Sequence, residues 1–292
     1  MPATPRADTP IEIVPPGAEL PLSNSNFNFL RKLALEKAGI SLAEHKRSMV
    51  YRRLARRVAA HGFTNFDDYC ALLESPEGER EMQLMVNALT TNKTDFFREN
   101  HHFDHLAGTA IPAILGVGAA RQTRLRIWSA GCSSGQEPYT IAMTLVRAVA
   151  DLASIDARIL ATDIDTEILG RAERGIYAAP DLAAIPHSLR NVFFEPATGQ
   201  PNQFRAQAAL RALTAFRPLN LHGAWPMKGP FDIIFCRNVV IYFDKATQAR
   251  LFDRFAGILA PGGFLYIGHS ESLFRITERF RAVGQSIYRK IA

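Results

Sequence analysis

The sequence predicts an α/β protein: a small all-α module followed by an open, mostly parallel sheet with a small inserted antiparallel β-subdomain. Three observations predict it. Apolar residues recur at helical spacing up to Leu89, apolar strand-like runs alternate with helices from Arg124 onward, and residues 176–222 interrupt that alternation with shorter runs.

Six prolines fall in residues 1–22, which reads as a disordered tail, since proline lacks a backbone donor and breaks helices. Ser23, Asn24 and Ser25 are cap residues before Phe27, Leu30, Ala34, Leu35 and Ala38, and Gly39 is a stop. Further helices are expected over about 43–60, 66–74 and 78–89, so residues 23–90 form the helical module and 91–123 a linker with a connecting helix. Residues 124–292 form the sheet domain. Its strands are expected at 125–129, 157–162, 231–236 and 264–268, with helices at 137–150, 166–174 and 245–259. Possible strands at 192–195, 203–206 and 214–217 place the β-subdomain at about 188–218.

The chain has 292 residues, 47% hydrophobic and 21% charged, as expected of a folded globular protein. No apolar run approaches the ~20 residues that would span a bilayer, and no secretory leader is expected. Cys70, Cys132 and Cys236 are odd in number and scattered, which suits a reducing cytoplasm and offers no metal-ligand spacing. His101 and His105 lie i, i+4, but no further ligand accompanies them, so no metal is expected. The net charge of +6 suits an acidic partner.

Four stretches carry chemistry. In Trp128–Pro138 (WSAGCSSGQEP) a strand runs through small residues around Gly131 into a helix start at Glu137, where free N–H groups could meet a ligand. The same spacing also suits an ordinary tight turn. At the end of the next strand Asp163 stands where nucleotide-binding sheets hold ribose hydroxyls, while Asp165 reads as a helix cap. Arg237, Asn238 and Tyr242 follow a third strand. Asn92, Thr94 and Arg98 lie in a polar segment around Phe96 and Phe97, which reads as a linker held against an apolar surface.

Together TTNKTDFFREN (90–100), WSAGCSSGQEPY (128–139), ATDIDTE (161–167), FCRNVVIYFD (235–244) and PGGFLYIGHS (261–270) resemble the CheR-type chemotaxis receptor methyltransferases, over about residues 23–292. The resemblance implies a class I S-adenosylmethionine-dependent (Rossmann-type) methyltransferase sheet and a protein-glutamate O-methyltransferase activity in sensory adaptation. S-adenosyl-L-methionine would be the cofactor and S-adenosylhomocysteine the product. By that likeness Asn92, Thr94, Arg98, Gly131, Glu137, Asp163, Asn220, Leu221, Arg237 and Asn238 would bind the cofactor, with Arg98 and Tyr242 catalytic. A glutamate carboxylate is already ionised at neutral pH, so transfer to it needs placement and no general base.

The resemblance also implies a partner, the cytoplasmic helical domain of methyl-accepting chemotaxis receptors, and a cytoplasmic location at receptor arrays. Residues 46–57 hold six cations and no acid, and Lys46, Arg52, Arg53, Arg56 and Arg57 are expected on the face opposite Val50, Leu54 and Val58. Such a face could be simply solvated, or could steer an acidic helix into place. Family members that grip a receptor C-terminal pentapeptide carry a glycine-patterned loop; the matching stretch here, 195–205, has Gly199 alone, so tether-independent action is expected. Asn238 is followed by Val-Val-Ile rather than the Pro-Pro-aromatic pattern of base-amine methyltransferases, so no nucleic-acid partner is expected. A non-catalytic sensing module on the same fold is the remaining alternative.

Overall fold

A computed structural model describes residues 20–116 and 123–291. The prolines of the expected tail lie outside the described residues, apart from Pro21. The chain divides into two compact units after Thr90.

The first unit is helical: α1 (Asn24–Ala38), α2 (Arg47–Ala60, entered through the 3-10 turn Glu44–Lys46), α3 (Phe66–Glu74) and α4 (Glu79–Leu89). Local chemistry sets the ends. The Ser23 hydroxyl accepts from the Asn26 N–H at 3.1 Å, and Gly39 closes α1 at φ 71°, a left-handed conformation that glycine adopts without penalty. Asn65 caps α3 by accepting from the Asp68 N–H. Val50, Leu54 and Val58, spaced i, i+4, are fully buried with Phe27, Leu30, Phe66, Tyr69 and Met85.

The second unit opens with the segment 91–100. The short helix α5 (His101–His105) passes through one π-helical turn, Leu106–Ala110, into α6 (Ile111–Leu115). Next come β1 (Arg124–Ala130), α7 (Gln136–Ala148), β2 (Asp156–Asp163), α8 (Thr166–Arg174), β3 (Ile176–Ala178), α9 (His187–Phe193), β4 (Phe194–Pro196), β5 (Gln203–Ala206), α10 (Ala208–Leu213), β6 (Thr214–Pro218), β7 (Phe231–Cys236), α11 (Lys245–Ile258), β8 (Leu259–Ile267), β9 (Phe280–Gly284) and β10 (Ile287–Lys290). The main sheet runs β6-β2-β1-β7-β8-β10-β9. The first five strands are parallel, and β10 and β9 continue the edge antiparallel.

The β-subdomain is corrected by this topology. Its three strands are β3, β5 and β4, in the order β3-β5-β4, so it begins at Ile176 rather than near 188. The run expected as its last strand, 214–217, is instead the parallel edge strand β6 of the main sheet, with Thr214 opposite Ile159. Only Phe216 of β6 is buried, and such an alternating run reads the same whichever sheet it joins.

Strands β1 and β7 are neighbours, yet the chain reaches β7 only after building β2 and β6 on the other side of β1. This reversal opens a crevice at the carboxyl ends of the central strands, the place where open α/β sheets take ligands.

Candidate functional site

Five connections meet at this crevice: those following β1, β2, β6, β7 and β8. The turn after β1 is fastened to β2, because Gly131 and Cys132 both donate to the Thr162 carbonyl, at 2.8 and 2.9 Å. Gly131 has φ 87°, and a Cβ there would lie 2.4 Å from Val239 Cγ2, so this turn and the one after β7 are packed too closely for a side chain. Leu219 donates to the Asp163 carbonyl at 2.9 Å, which brings Asn220 and Leu221 beside the end of β2.

Asp163 is buried, accepts from the Ser133 N–H at 2.7 Å and the Asp165 N–H at 2.9 Å, and is pushed up to about 6 by that burial. The Asp165 carboxylate caps α8 through the Glu167 and Ile168 N–H groups, as its position before the helix suggested.

The segment 92–99 is drawn into the same place. The Asn92 side chain donates to Asp165 at 2.7 Å, and its carbonyl accepts from the Ser133 hydroxyl at 3.1 Å. Phe96 is buried and meets Tyr177 and Phe194 of the β-subdomain edge-on, with ring centroids 5.0 and 5.5 Å apart. Thr94 and Arg98 are half-buried on this segment, and the Arg98 guanidinium donates to the Lys93 carbonyl at 2.9 Å.

Arg237 organises the centre. Its guanidinium lies 3.1 Å from Glu137 and 3.4 Å from Glu99, and it donates to the Arg98 carbonyl. Glu137 also accepts from the Ser129 hydroxyl at 2.7 Å, and burial pushes its carboxyl up. Burial works on Glu99 in the same direction, but the hydrogen bond from His269 and the charge of Arg237 outweigh it and hold the carboxyl at about 2. Burial, then Arg237 and His101, push His102 down to about 3. Tyr242 stands half-buried in the 3-10 turn Val240–Tyr242 that follows.

Backbone strain collects here. Among the described residues, four of the seven non-glycine residues with positive φ lie in the segment 92–99 and in the turns after β1 and β7: Phe97 (54°), Glu99 (57°), Ser133 (50°) and Asn238 (58°). Such conformations each cost on the order of 1–3 kcal/mol and persist where the surroundings impose them.

Glu99, His269 and Glu271 were not singled out by sequence reasoning, although all three lie in or beside its motifs. Apart from Gly268 and His102, their partners lie 30 or more residues away in sequence, and no local periodicity marks them. Neither histidine of the i, i+4 pair turns toward a shared ligand: His101 Nε2 lies 3.1 Å from the Gln285 carbonyl and His105 Nδ1 2.8 Å from the Tyr266 hydroxyl.

The expected docking face on α2 is narrower than its charge suggests. Arg57 grips both oxygens of the buried Glu81, and Arg53 donates to the Leu89 and Thr90 carbonyls that end α4, at 2.8 and 2.6 Å. Lys46 is half-buried, whereas Arg52 and Arg56 are exposed. Arg53 and Arg57, both half-buried, thus act as internal ties: the last carbonyls of a helix and a buried carboxylate both need donors.

Comparison with known proteins bears on these two units. The family described as "CheR methyltransferase, SAM binding domain" matches residues 92–289, and "CheR methyltransferase, all-alpha domain" matches residues 25–90. The chain is 46% identical to the chemotaxis protein methyltransferase of Klebsiella aerogenes, over 92% of this chain and 90% of that protein. It is 44% identical to a probable chemotaxis protein methyltransferase of Rhizobium etli, over 86% and 94% of the two chains. It is 42% identical to the chemotaxis protein methyltransferase of Escherichia coli, over 92% of each. The chain belongs to the CheR methyltransferase family, and S-adenosylmethionine is its cofactor.

Proposed function

We propose that the protein esterifies glutamate side chains on the helical cytoplasmic domain of chemotaxis receptors, as an S-adenosylmethionine-dependent protein-glutamate O-methyltransferase. The observation that carries the reading is the state of the groups around Arg237. Glu99, held at about 2, and His102, held at about 3, are poor proton acceptors at neutral pH. A carboxylate nucleophile arrives already ionised and asks for no proton acceptor from Glu99 or His102. The names of the relatives, chemotaxis protein methyltransferases, favour receptors as the source of that carboxylate.

The residues fit the cofactor. Glu99 and Glu137 share a single buried cation, Arg237, and Asp163 lies buried at the end of β2; this excess of acids complements a ligand carrying a sulfonium and an ammonium. When bound, the cofactor supplies an activated methyl group on a sulfonium that leaves without help. Asp163 would hold the ribose hydroxyls. Asn92, Thr94, Gly131, Glu137, Arg237 and Asn238 would line the amino-acid side, and Asn220 and Leu221 the base. Arg98 would hold the incoming carboxylate and Tyr242 orient it by hydrogen bonding. A modest grip suits this task, since the nucleophile loses negative charge as the ester forms.

Arg52 and Arg56 would steer an acidic receptor helix. No helix among the described residues is long and apolar enough to cross a membrane. The strands β4 and β5, which bound the 195–205 stretch, would act without a receptor tether; measurable binding of a receptor C-terminal pentapeptide would overturn that part.

The test is incubation with radiolabelled S-adenosylmethionine and chemoreceptor membranes. Alkali-labile label on receptor glutamates is expected. Cofactor binding without any label on receptors would favour a sensing module instead.

A further inference from the structure

Glu271 lies in the loop after β8 and is 7% exposed. It meets four backbone donors. Oε2 accepts from Gly268 at 2.6 Å and Asn238 at 3.0 Å, and Oε1 accepts from Val240 at 2.9 Å and Ile241 at 3.3 Å. Three of these donors belong to the turn after β7 and one to the loop after β8, so a single carboxylate staples two connections at the rim of the crevice. Burial pushes this carboxyl up against the pull of those donors.

The turn it holds is strained. Asn238 sits at φ 58°, between Arg237 and the 3-10 turn that carries Tyr242. The second loop presses on the same residue: a Cβ on Gly268 would lie 2.4 Å from Asn238 Nδ2 and 2.8 Å from its backbone nitrogen. Without Glu271 the N–H groups of Asn238, Val240 and Ile241 lose this acceptor, and the left-handed Asn238 loses the carboxylate that ties it to the loop after β8.

We propose that Glu271 is a positioning residue for methyl transfer. It touches neither cofactor nor substrate, but fixes the 237–242 turn so that Asn238 reaches the cofactor and Tyr242 the reacting carboxylate. The inference rests on the reading above that Asn238 contacts the cofactor. A residue that merely stabilised the fold would, when replaced, lower the melting temperature and leave the folded enzyme's cofactor affinity unchanged.

The experiment uses the full chain with Glu271→Gln, Gly268→Ala, Asn238→Ala and the Glu271→Gln/Asn238→Ala double variant. Cofactor affinity is measured by calorimetry, kcat on receptor membranes, and folding by circular dichroism. Glutamine places an amide donor among N–H donors, and alanine at 268 crowds both partners of the staple, Asn238 and the Glu271 carboxylate, whose Oε2 would lie 2.9 Å from the new Cβ. Each should weaken cofactor binding about tenfold and lower kcat. The double variant should be no more than about twofold worse than Asn238→Ala, because both changes act on one group. Full affinity in folded Glu271→Gln or Gly268→Ala, or effects that multiply in the double variant, overturns the inference while a weakened Asn238→Ala keeps the site reading. If Glu271→Gln does not fold, Gly268→Ala decides. An Asn238→Ala enzyme with normal affinity sinks the site reading and this inference together.

Discussion

The two units each bury a glutamate–arginine cluster, and the clusters are built differently. In the helical unit Glu81 accepts from Arg57, from the Tyr69 hydroxyl at 2.8 Å, and meets His61 at 2.8 Å, so both its oxygens are taken. In the sheet unit Arg237 serves two glutamates, and neither its Nε nor Glu99 Oε2 makes a hydrogen bond among the described residues. The first cluster is closed by side chains within 24 residues of one another and ties α2, α3 and α4 together. The second gathers segments up to 170 residues apart and keeps an excess of acid. A closed cluster holds a fold; an open one, with strained neighbours and unspent polar atoms, suits a charged ligand.

The largest effect should come from the open cluster. Arg237→Met leaves Glu99 and Glu137 buried without their cation, and S-adenosylmethionine binding should fall by at least about 100-fold. Calorimetry giving an affinity within about threefold of the parent would break the contrast between the clusters.

Glu81→Ala should do the reverse. Removing one partner of a buried ion pair costs about 3 kcal/mol, read as a lower urea midpoint for the helical unit, with cofactor affinity within about twofold of the parent. Comparable loss of cofactor binding would mean that the helical cluster also serves the site.

Acid should separate the clusters by onset. His102 protonates at about 3 in the fold but near 6.5 in the unfolded chain. Below pH 6.5 the unfolded chain takes up a proton that the folded one refuses. Stability of the sheet unit should therefore fall by up to about 1.4 kcal/mol per pH unit, down to pH ~3. Glu99, at about 2 rather than 4.5, adds a loss that starts near pH 4.5 and ends near 2. Glu81 is also held below 4.5, so its contribution is present above that pH and is lost on acidification below it. His102→Leu should flatten the decline in urea midpoint between pH 6.5 and 4.5; an unchanged slope there would assign the decline to another group.

The smallest effect concerns the surface. Arg52→Glu with Arg56→Glu should lower receptor methylation about fivefold at low salt and converge with the parent at high salt, with melting temperature and cofactor affinity unchanged. The same reversal at Arg57 is expected instead to unfold the helical unit, which would sharpen the distinction between steering and structural arginines.

The sequence by itself determined the elements whose causes are local. The helix ends at Ser23 and Gly39, the buried Val50-Leu54-Val58 face, the β1 turn with its glycines and the Asp165 cap are all legible, because capping, periodicity and turn chemistry act within a few residues. The motifs also brought Asn92, Glu137, Asp163, Arg237 and Asn238 forward together through their resemblance to a family. Tertiary structure alone decided which sheet Thr214–Pro218 joins, which of the α2 arginines face solvent, and that Glu99 and Glu271 hold the crevice. Strand partners, buried ion pairs and carboxylates capping distant turns are satisfied between segments far apart in the chain. Their energy belongs to pairs of positions, and a single sequence displays positions one at a time.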